Sequence, residues 1–511
     1  MSDETRIDAA GTMQATLPGQ PIADVDRTEW RRRSVHGVTA SVVSQAVRVA
    51  LQLGTQILLA RLLLPRDFGL VAMVAPIVGF AQLFANMGLL EAVIQRPTIS
   101  RSELSGLFWI NVGAGFMLAG LVVLIAPAVA WFYGEPRTAG IMISLGVLLA
   151  IGGCSALPMA VMTRRLRFVQ LAAIDLVAAV MTSGAGLGAA VLGWHYWSLV
   201  AMQGVNAVVI LCLAWSLAGW RPSPPGRVVG LSALLRFGSQ VTAASLVHSL
   251  SYTLDNVLVG VVWGAAPLGL YERGFRLMLR PVTQLTTPFA RVAVPLLSRL
   301  HDDPGRYRDA YVGLLSAVLA ATTPAILFAT VMASPLVLHL LGSGWAEVVP
   351  VFVWFGVGAL VTPINVSTNW LFVSQNRPKQ EMRWSALAST LSLASCVAGL
   401  HWGVVGVAAA RIIVGGVVST PLLWWAVTGE GPVGRGDLAR ALYPAGIAGA
   451  AAFAALKLVD PIVTSRGLAA LASALALAYI AYAVCYCLVP EGNRTIRSVW
   501  RMRPPLHRAR A

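Results

Sequence analysis

Residues 44–70 read SQAVRVALQLGTQILLARLLLPRDFGL, and they establish the class of fold. The apolar run that contains this stretch extends from Gly37 to Leu63, and a second apolar run follows a polar turn at Arg66. About 20 apolar residues are enough to cross a bilayer, so the stretch predicts two membrane helices joined by a short loop. Arg48 lies near the middle of the first helix, where a charge costs about 2.5–3.5 kcal/mol.

The composition of the whole chain is that of an integral membrane protein. It is 57% hydrophobic and 12% charged, with a mean hydropathy of +0.72, whereas soluble proteins carry about 25% charged residues. The net charge of +16 is not gathered on a soluble domain, which argues against a nucleic-acid-binding protein. No C-x-x-C pair occurs among the five cysteines, so no metal site or cofactor is expected.

Apolar runs of spanning length recur along the chain and predict an all-α polytopic membrane protein with fourteen transmembrane helices. The predicted spans are residues 37–61, 68–91, 106–132, 139–162, 168–193, 196–219, 238–262, 268–297, 310–333, 346–373, 384–401, 403–426, 440–458 and 468–489.

The distribution of basic residues predicts the orientation. With the N-terminus in the cytoplasm, and with basic residues at the ends of spans counted with the adjacent loops, 27 of the 38 Lys and Arg residues fall on cytoplasmic segments, 5 on outer loops and 6 within spans. This asymmetry satisfies the positive-inside rule and predicts a cytoplasmic N-terminus, a cytoplasmic C-terminus and an even number of spans. The loops are short, so no extracytoplasmic domain is available for chemistry.

The spans divide into two sets of six. A shift of 200 residues superposes Gly69 and Leu70 on Gly269 and Leu270, at the same loop between two spans. Six spans per half give both halves the same orientation, as in transporters with a central site between parallel repeats. The predicted domains are a disordered cytoplasmic tail (1–34), an N-terminal six-helix bundle (35–219), a cytoplasmic linker (220–237), a C-terminal six-helix bundle (238–426), spans 13 and 14 (427–489) and a basic cytoplasmic tail (490–511).

Polar side chains on the spans are the candidate functional residues. Span 1 carries a polar stripe at helical spacing, and span 8 carries basic residues at i, i+3 and i+7. The residues predicted to bind a substrate are Gln45, Arg48, Gln52, His248, Asn256, Arg273, Arg276 and Arg280, and the candidates for ion coupling are Asp175, Asp255 and Glu272.

These charges have two interpretations. Glu272 and Arg276 are i, i+4 neighbours, and Asp255 is within reach of Arg276 from the next span, so this outer cluster is explained by neutralisation alone. Asp175 either carries a coupling ion, H⁺ or Na⁺, or pairs with Arg48. For Arg48 a role in a substrate pathway is favoured, because a mid-membrane arginine facing lipid is disfavoured.

Converging arginines are suited to a polyanion. Guanidinium groups bind phosphate oxygens in a bidentate manner and keep their charge. A diphosphate headgroup would offset the desolvation of two or three of them, and the amides of Gln45, Gln52 and Asn256 could bond sugar hydroxyls.

Three stretches resemble the bacterial Wzx-type polysaccharide flippases. Residues 59–96, LARLLLPRDFGLVAMVAPIVGFAQLFANMGLLEAVIQR, are similar to the N-terminal signature of that family. Residues 254–277, which contain LDNVLVG and LGLYERGFRL, resemble its second-half counterpart, and residues 340–352, LLGSGWAEVVPVF, its later outer loop. The wider superfamily also contains multidrug exporters and peptidoglycan-precursor flippases.

The resemblance implies two six-helix bundles, spans 1–6 and 7–12, in a V around a central cavity, with spans 13 and 14 added. It implies that an undecaprenyl-diphosphate-linked oligosaccharide moves from the cytoplasmic to the outer leaflet by alternating access, for the synthesis of a surface polysaccharide. A bacterial inner-membrane location, a monomer and contact with polysaccharide polymerase or export proteins are expected. The acidic residue that related precursor flippases carry on span 1 has no match here.

Two other classes of function are less well matched. A cation-coupled multidrug exporter of the same fold would need carboxylates to bind cationic drugs, whereas these spans hold six arginines against three clear carboxylates. A membrane enzyme would need a large outer loop with catalytic polar residues, and none is predicted. The sequence therefore favours a flippase without enzymatic chemistry, with a peptidoglycan-precursor flippase as a further alternative.

Overall fold

The computed structural model describes residues 45, 47–86, 93, 99, 101–165, 167–224, 254–429 and 431–494. Within these residues the chain is helical. The helices of the N-terminal part are α1 (47–62), α2 (Pro65–Asn86), α3 (Arg101–Tyr133), α4 (Arg137–Arg164), α5 (Phe168–Val191) and α6 (Trp197–Ala218).

The C-terminal part continues with further helices, several of them in pairs that make up one predicted span. They are α7 (Leu254–Trp263), α8 (Ala265–Arg299), α9 (Pro304–Val331), α10 (Ala333–Leu340), α11 (Val348–Ala359), α12 (Thr362–Ser374), α13 (Pro378–Gly399), α14 (Gly403–Ile413), α15 (Thr420–Gly429), α16 (Arg435–Arg466) and α17 (Leu468–Leu488). Short 3₁₀ turns at Ser343–Trp345 and Leu400–Trp402 and a π turn at Val414–Ser419 lie between them.

Every predicted span overlaps a helix in the described residues, but the number of spans is not confirmed. By length and composition, ten segments of the described chain could cross a membrane. The charged helix α8 is not among them, and the segment Lys379–Gly429 is counted as one. The all-helical membrane class stands, whereas the number fourteen stays a prediction. The predictions for His248 and the N-terminal tail lie outside the described residues, and only residues 490–494 of the predicted C-terminal tail are described.

The chain separates into two compact units, residues 1–250 and residues 251–511. In the N-terminal unit, α3 packs against α4 and α5 against α6. In the C-terminal unit, α16 and α17 pack against each other and against α9, and their apolar side chains form a large core with those of α8.

The turns between helices use residues with left-handed backbone. Gly264 has φ +81° between α7 and α8, and Gly134 has φ +62° after α3. A side chain at such a φ clashes with the backbone, so glycine at these two turns lets the next helix start within a few residues. The connections between these helices are therefore short, as expected from the sequence.

Two predicted spans of the C-terminal unit are discontinuous. In the predicted span 346–373, the helix breaks at Leu360–Val361 before α12 begins. The predicted span 403–426 is interrupted by the π turn Val414–Ser419. The two interruptions are neighbours, since Thr420 Oγ1 donates to Asn365 Oδ1 at 3.1 Å. The same hydroxyl lies 2.9 Å from the carbonyl oxygen of Gly415, which also accepts the backbone N–H of Thr420 in the π turn.

Candidate functional site

Arg48 is paired with a carboxylate on another helix of the N-terminal unit. Its Nη1 donates to Asp175 Oδ2 at 3.1 Å, and its Nη2 donates to Oε1 of Gln45, three residues earlier in the sequence. The side chains of Arg48 and Asp175 are 31% and 42% exposed. The structure therefore shows the pairing alternative for Asp175, in a pair that is open to its surroundings rather than buried.

The rest of the polar stripe on α1 also meets α5. Thr55 is buried, and its Oγ1 donates to Ser183 Oγ at 2.8 Å, two turns along α5 from Asp175. Gln52 lies between the two contacts along α1 and is exposed. The predicted stripe of span 1 is thus a set of polar contacts between span 1 and α5, with Gln45, Arg48 and Gln52 on its more exposed edge.

The three arginines predicted on one face of α8 differ in their surroundings. Arg273 is 2% exposed, and its guanidinium lies 5.9 Å from the centre of the Trp345 ring. Arg276 forms an ion pair with Glu272 one turn earlier, as the sequence predicts. Arg280, one turn further along α8, is exposed and forms no ion pair within the described part of the chain. Only the last two are placed to meet a ligand without a rearrangement of the fold.

Asp255 pairs with Arg411. The sequence had suggested Arg276 as its partner, but Arg276 pairs with Glu272. The ion pair of Asp255 with Arg411 joins α7 to α14 and is largely buried, with side-chain exposures of 5% and 13%. Tyr271 donates its hydroxyl to the same carboxylate oxygen at 2.9 Å, and the Phe275 ring lies 5.6 Å from the Arg411 guanidinium carbon. Because Arg411 is 156 residues away in sequence, helical spacing could not indicate this partner.

Asn256 is half-buried beside this pair. Its backbone N–H donates to Asp255 Oδ1 at 2.9 Å, which leaves the side-chain amide uninvolved in that contact. The carboxylate of Asp255 thus has a guanidinium, a phenol and a backbone amide around it. A carboxylate that accepts hydrogen bonds from all three donors is suited to holding α7, α8 and α14 together.

Sequence analysis did not identify the polar contact between the two interrupted spans. Asn365 and Thr420 lie there, and Ser419 Oγ is buried with no hydrogen-bond partner in the described structure. The only signal in the sequence was the glycine pair Gly415-Gly416 in a span, and such a pair is also compatible with a continuous helix.

The family model described as polysaccharide biosynthesis protein matches residues 58–350. The chain belongs to this family. The matched range includes Asp175, Asp255 and the arginines of α8, but neither Arg48 nor Arg411.

Three relatives illustrate the range of this family. The chain is 24% identical to the lipopolysaccharide biosynthesis protein WzxC of Escherichia coli (strain K12) over 75% of this chain and 79% of the relative. It is 25% identical to the succinoglycan biosynthesis transport protein ExoT of Rhizobium meliloti (strain 1021), over 61% and 63%. It is 23% identical to the teichuronic acid biosynthesis protein TuaB of Bacillus subtilis (strain 168), over 53% and 57%. The resemblance to Wzx-type flippases is therefore confirmed.

Solved structures show the same fold at low identity. The lipid II flippase MurJ in an inward closed conformation superposes with a TM-score of 0.70, at 12% identity, covering 88% of this chain and 98% of MurJ. An inward-facing multidrug resistance transporter of the MATE family and the MOP superfamily gives a TM-score of 0.56, at 14% identity, covering 76% and 97%. These likenesses establish the architecture of the polysaccharide biosynthesis protein but not its substrate.

Proposed function

We propose that this polysaccharide biosynthesis protein translocates a polyprenyl-diphosphate-linked oligosaccharide from the cytoplasmic to the outer leaflet, without covalent chemistry. Family membership, the name of ExoT as a transport protein and the fold shared with a lipid II flippase support this function. The structural observation that carries it is the partly exposed ion pair of Arg48 with Asp175.

The geometry of that pair suits reversible anion binding. A guanidinium presents five N–H donors, of which the two described bonds to Asp175 and Gln45 use two. A partly exposed ion pair is worth only about 0–1 kcal/mol, so a doubly charged diphosphate can replace the carboxylate. Arg48 would then bind the phosphate oxygens, while Gln45 and Gln52 on the same edge of α1 would bond neighbouring hydroxyls.

Arg280 is the second candidate for a phosphate contact, in the C-terminal unit. It is exposed and forms no ion pair within the described residues, and Arg276 with its partner Glu272 lies one turn away on the same helix. Arg273 is not proposed as a ligand-binding residue, since its burial under Trp345 fits a role in packing.

A coupling ion, H⁺ or Na⁺, would act at Asp175. Its carboxylate is 42% exposed and loses its partner when a diphosphate takes Arg48, which favours uptake of a cation at that moment. Asp255 and Glu272 are only 5% and 8% exposed and keep their arginines, so they are less suited to exchange with a bulk ion.

The remaining features of the function follow from the basic residues and the architecture. The distribution of Lys and Arg supports cytoplasmic termini in a bacterial inner membrane. The helices at all fourteen predicted positions support fourteen spans in two sets of six plus two, and the protein would act as a monomer by alternating access. Contact with a polysaccharide polymerase or export machinery belongs to the same proposal.

A peptidoglycan-precursor flippase is the second candidate function. The observation that favours it is the TM-score of 0.70 with MurJ, against 0.56 with the MATE transporter. Both candidates recognise a lipid diphosphate. A multidrug exporter is disfavoured, because each described carboxylate on the candidate residues is already paired with an arginine.

Complementation tests the proposed function. The chain is expressed in strains that lack their polysaccharide flippase and accumulate lipid-linked repeat units, and in a strain depleted of its lipid II flippase. Restored surface polysaccharide with disappearance of the stalled intermediate is the expected result. Rescue of the depleted strain alone would support the second candidate. Increased efflux of a cationic dye without either rescue would contradict both.

A further inference from the structure

Two arginines converge on the end of one helix in the N-terminal unit. Arg165 and Arg167 lie in the connection between α4 and α5. Arg165 Nη1 donates to Ala218 O at 3.0 Å, and Arg167 Nη1 donates to Leu217 O at 2.9 Å. Both acceptors are last-turn carbonyls of α6, which carry the negative end of the helix dipole. An ideal Cβ on Gly219 would lie 3.8 Å and 3.9 Å from these nitrogens, so the two cations flank a single residue.

The two positive charges exceed what capping a helix requires. Neither arginine forms an ion pair with a carboxylate in the described residues, and each uses one of its five N–H donors in the bond to α6. Burial, and in addition the charge of Arg167, lower the pKa of the Arg165 guanidinium. Two adjacent cations in half-buried positions are stabilised by an anion between or above them. Arg221, exposed and just beyond Gly219, adds a third positive charge.

The pair lies where three helices long and apolar enough to cross a membrane end or begin, at Arg164, Phe168 and Ala218. Trp215 and Trp220 lie with ring centres 6.4 Å apart, and Phe108 packs edge-on against both. Phe108 and Trp220 are buried in an apolar core of this unit, so the cluster fixes the end of α6 that carries the two acceptor carbonyls. Phe168 and Val169, which directly follow Arg167, are 43% and 61% exposed. An anion bound here would therefore have apolar side chains beside it.

We propose that Arg165 and Arg167 form a binding site for the phosphate group of an anionic lipid at the cytoplasmic end of α4, α5 and α6. The guanidinium groups bind the phosphate oxygens, and Phe168 and Val169 contact the attached acyl chains. Arg167 is eight residues from Asp175, which is about 12 Å along α5 at 1.5 Å per residue. The site is thus separate from Arg48, and its occupancy does not depend on the proposed transport function.

Native mass spectrometry of the purified full-length protein tests this site. The probes are phosphatidylglycerol, phosphatidylcholine and inorganic phosphate, and the variants are R165Q/R167Q and the matched control R306Q/R308Q. Arg308 also donates to a backbone carbonyl, that of Pro432, but it has Asp437 at 3.9 Å. We expect the wild type and the control to prefer phosphatidylglycerol, and R165Q/R167Q to lose about tenfold in that preference.

Each other outcome contradicts the proposal. Retention of the wild-type preference by R165Q/R167Q, or an equal loss in the control, would show that the surface charge as a whole attracts lipid. Displacement of phosphatidylglycerol by equimolar inorganic phosphate would show a site for free anions. If R165Q/R167Q does not fold, R165K/R167K is used, because lysine keeps the charge but not the bidentate geometry. Its preference should fall about threefold, and an unchanged preference would overturn the proposal.

Discussion

Arg48 Nη1 lies 3.1 Å from Asp175 Oδ2, and this ion pair joins two helices across 127 residues of sequence. The charge of Arg48 is thereby neutralised in a pair that is not buried, since both side chains stay partly exposed. The pair of Asp255 with Arg411 differs in being largely buried, and the Asp255 carboxylate also accepts hydrogen bonds from Tyr271 and a backbone N–H. The openness of the Arg48 pair is what makes exchange with a substrate anion physically reasonable.

Asp175→Asn tests whether the carboxylate competes with the substrate. Without it, Arg48 keeps its charge but loses a competitor worth about 0.2–1 kcal/mol, so a polyprenyl-diphosphate oligosaccharide should bind up to about fivefold more tightly. Transport should fall, because nothing displaces the diphosphate from Arg48. Binding by microscale thermophoresis and polysaccharide export in the complemented strain are measured together. Unchanged binding with normal export would make Asp175 irrelevant to both.

Arg280→Ala and Arg273→Ala should have opposite effects on stability and function. Arg280 is exposed, so its loss should change the stability by less than about 0.5 kcal/mol while export is severely impaired. Arg273 is buried against Trp345, so its loss should cost about 1–3 kcal/mol. Thermal unfolding in detergent and export assays separate the two effects. A stable Arg273→Ala protein that is inactive would contradict the assignment of Arg273 to packing.

The pair of Asp255 and Arg411 should behave as a structural unit. Arg411→Met leaves a buried carboxylate without its cation and should cost about 3–5 kcal/mol. Adding Asp255→Asn removes the stranded charge, so the double variant should recover much of the lost stability. A double-mutant cycle of thermal unfolding measures the coupling. Additive losses in the cycle would mean that the two groups do not depend on each other.

Two adjacent glycines of α4 provide a matched test of helix packing. An ideal Cβ on Gly153 would lie 2.8 Å from the carbonyl oxygen of Asn111 on α3, whereas one on Gly152 would meet nothing within 4 Å. Gly153→Ala should therefore destabilise the protein by about 1–3 kcal/mol, and Gly152→Ala should be neutral or slightly stabilising. The comparison uses unfolding midpoints of the two variants. Equal midpoints would mean that α3 and α4 do not approach this closely.

The sequence predicted the positions of the helices well because a run of twenty apolar residues has few alternative conformations near a membrane. It also predicted the ion pair of Glu272 and Arg276, since both residues belong to one helix at a spacing of four. The partner of Arg48 was one of two open alternatives, which the residue pattern could not decide.

The sequence alone could not predict contacts between helices that are distant along the chain. The true partner of Asp255 is on α14, and the burial of Arg273 depends on Trp345 from a later loop. Three arginines at helical spacing share a face, but the neighbouring helices decide which of them is covered. The π turn at Val414–Ser419 was missed because its glycines fit a regular helix equally well.

The most direct test of the central claim is the affinity of purified protein for a polyprenyl-diphosphate oligosaccharide, with and without Arg48. We expect Arg48→Gln to weaken binding by at least about tenfold, the loss of one charge-assisted contact. The matched control is Arg66→Gln, which removes an exposed arginine paired with Glu135 at 2.8 Å in the same unit and should bind like the wild type. Wild-type affinity in Arg48→Gln, with the protein folded, would contradict the account.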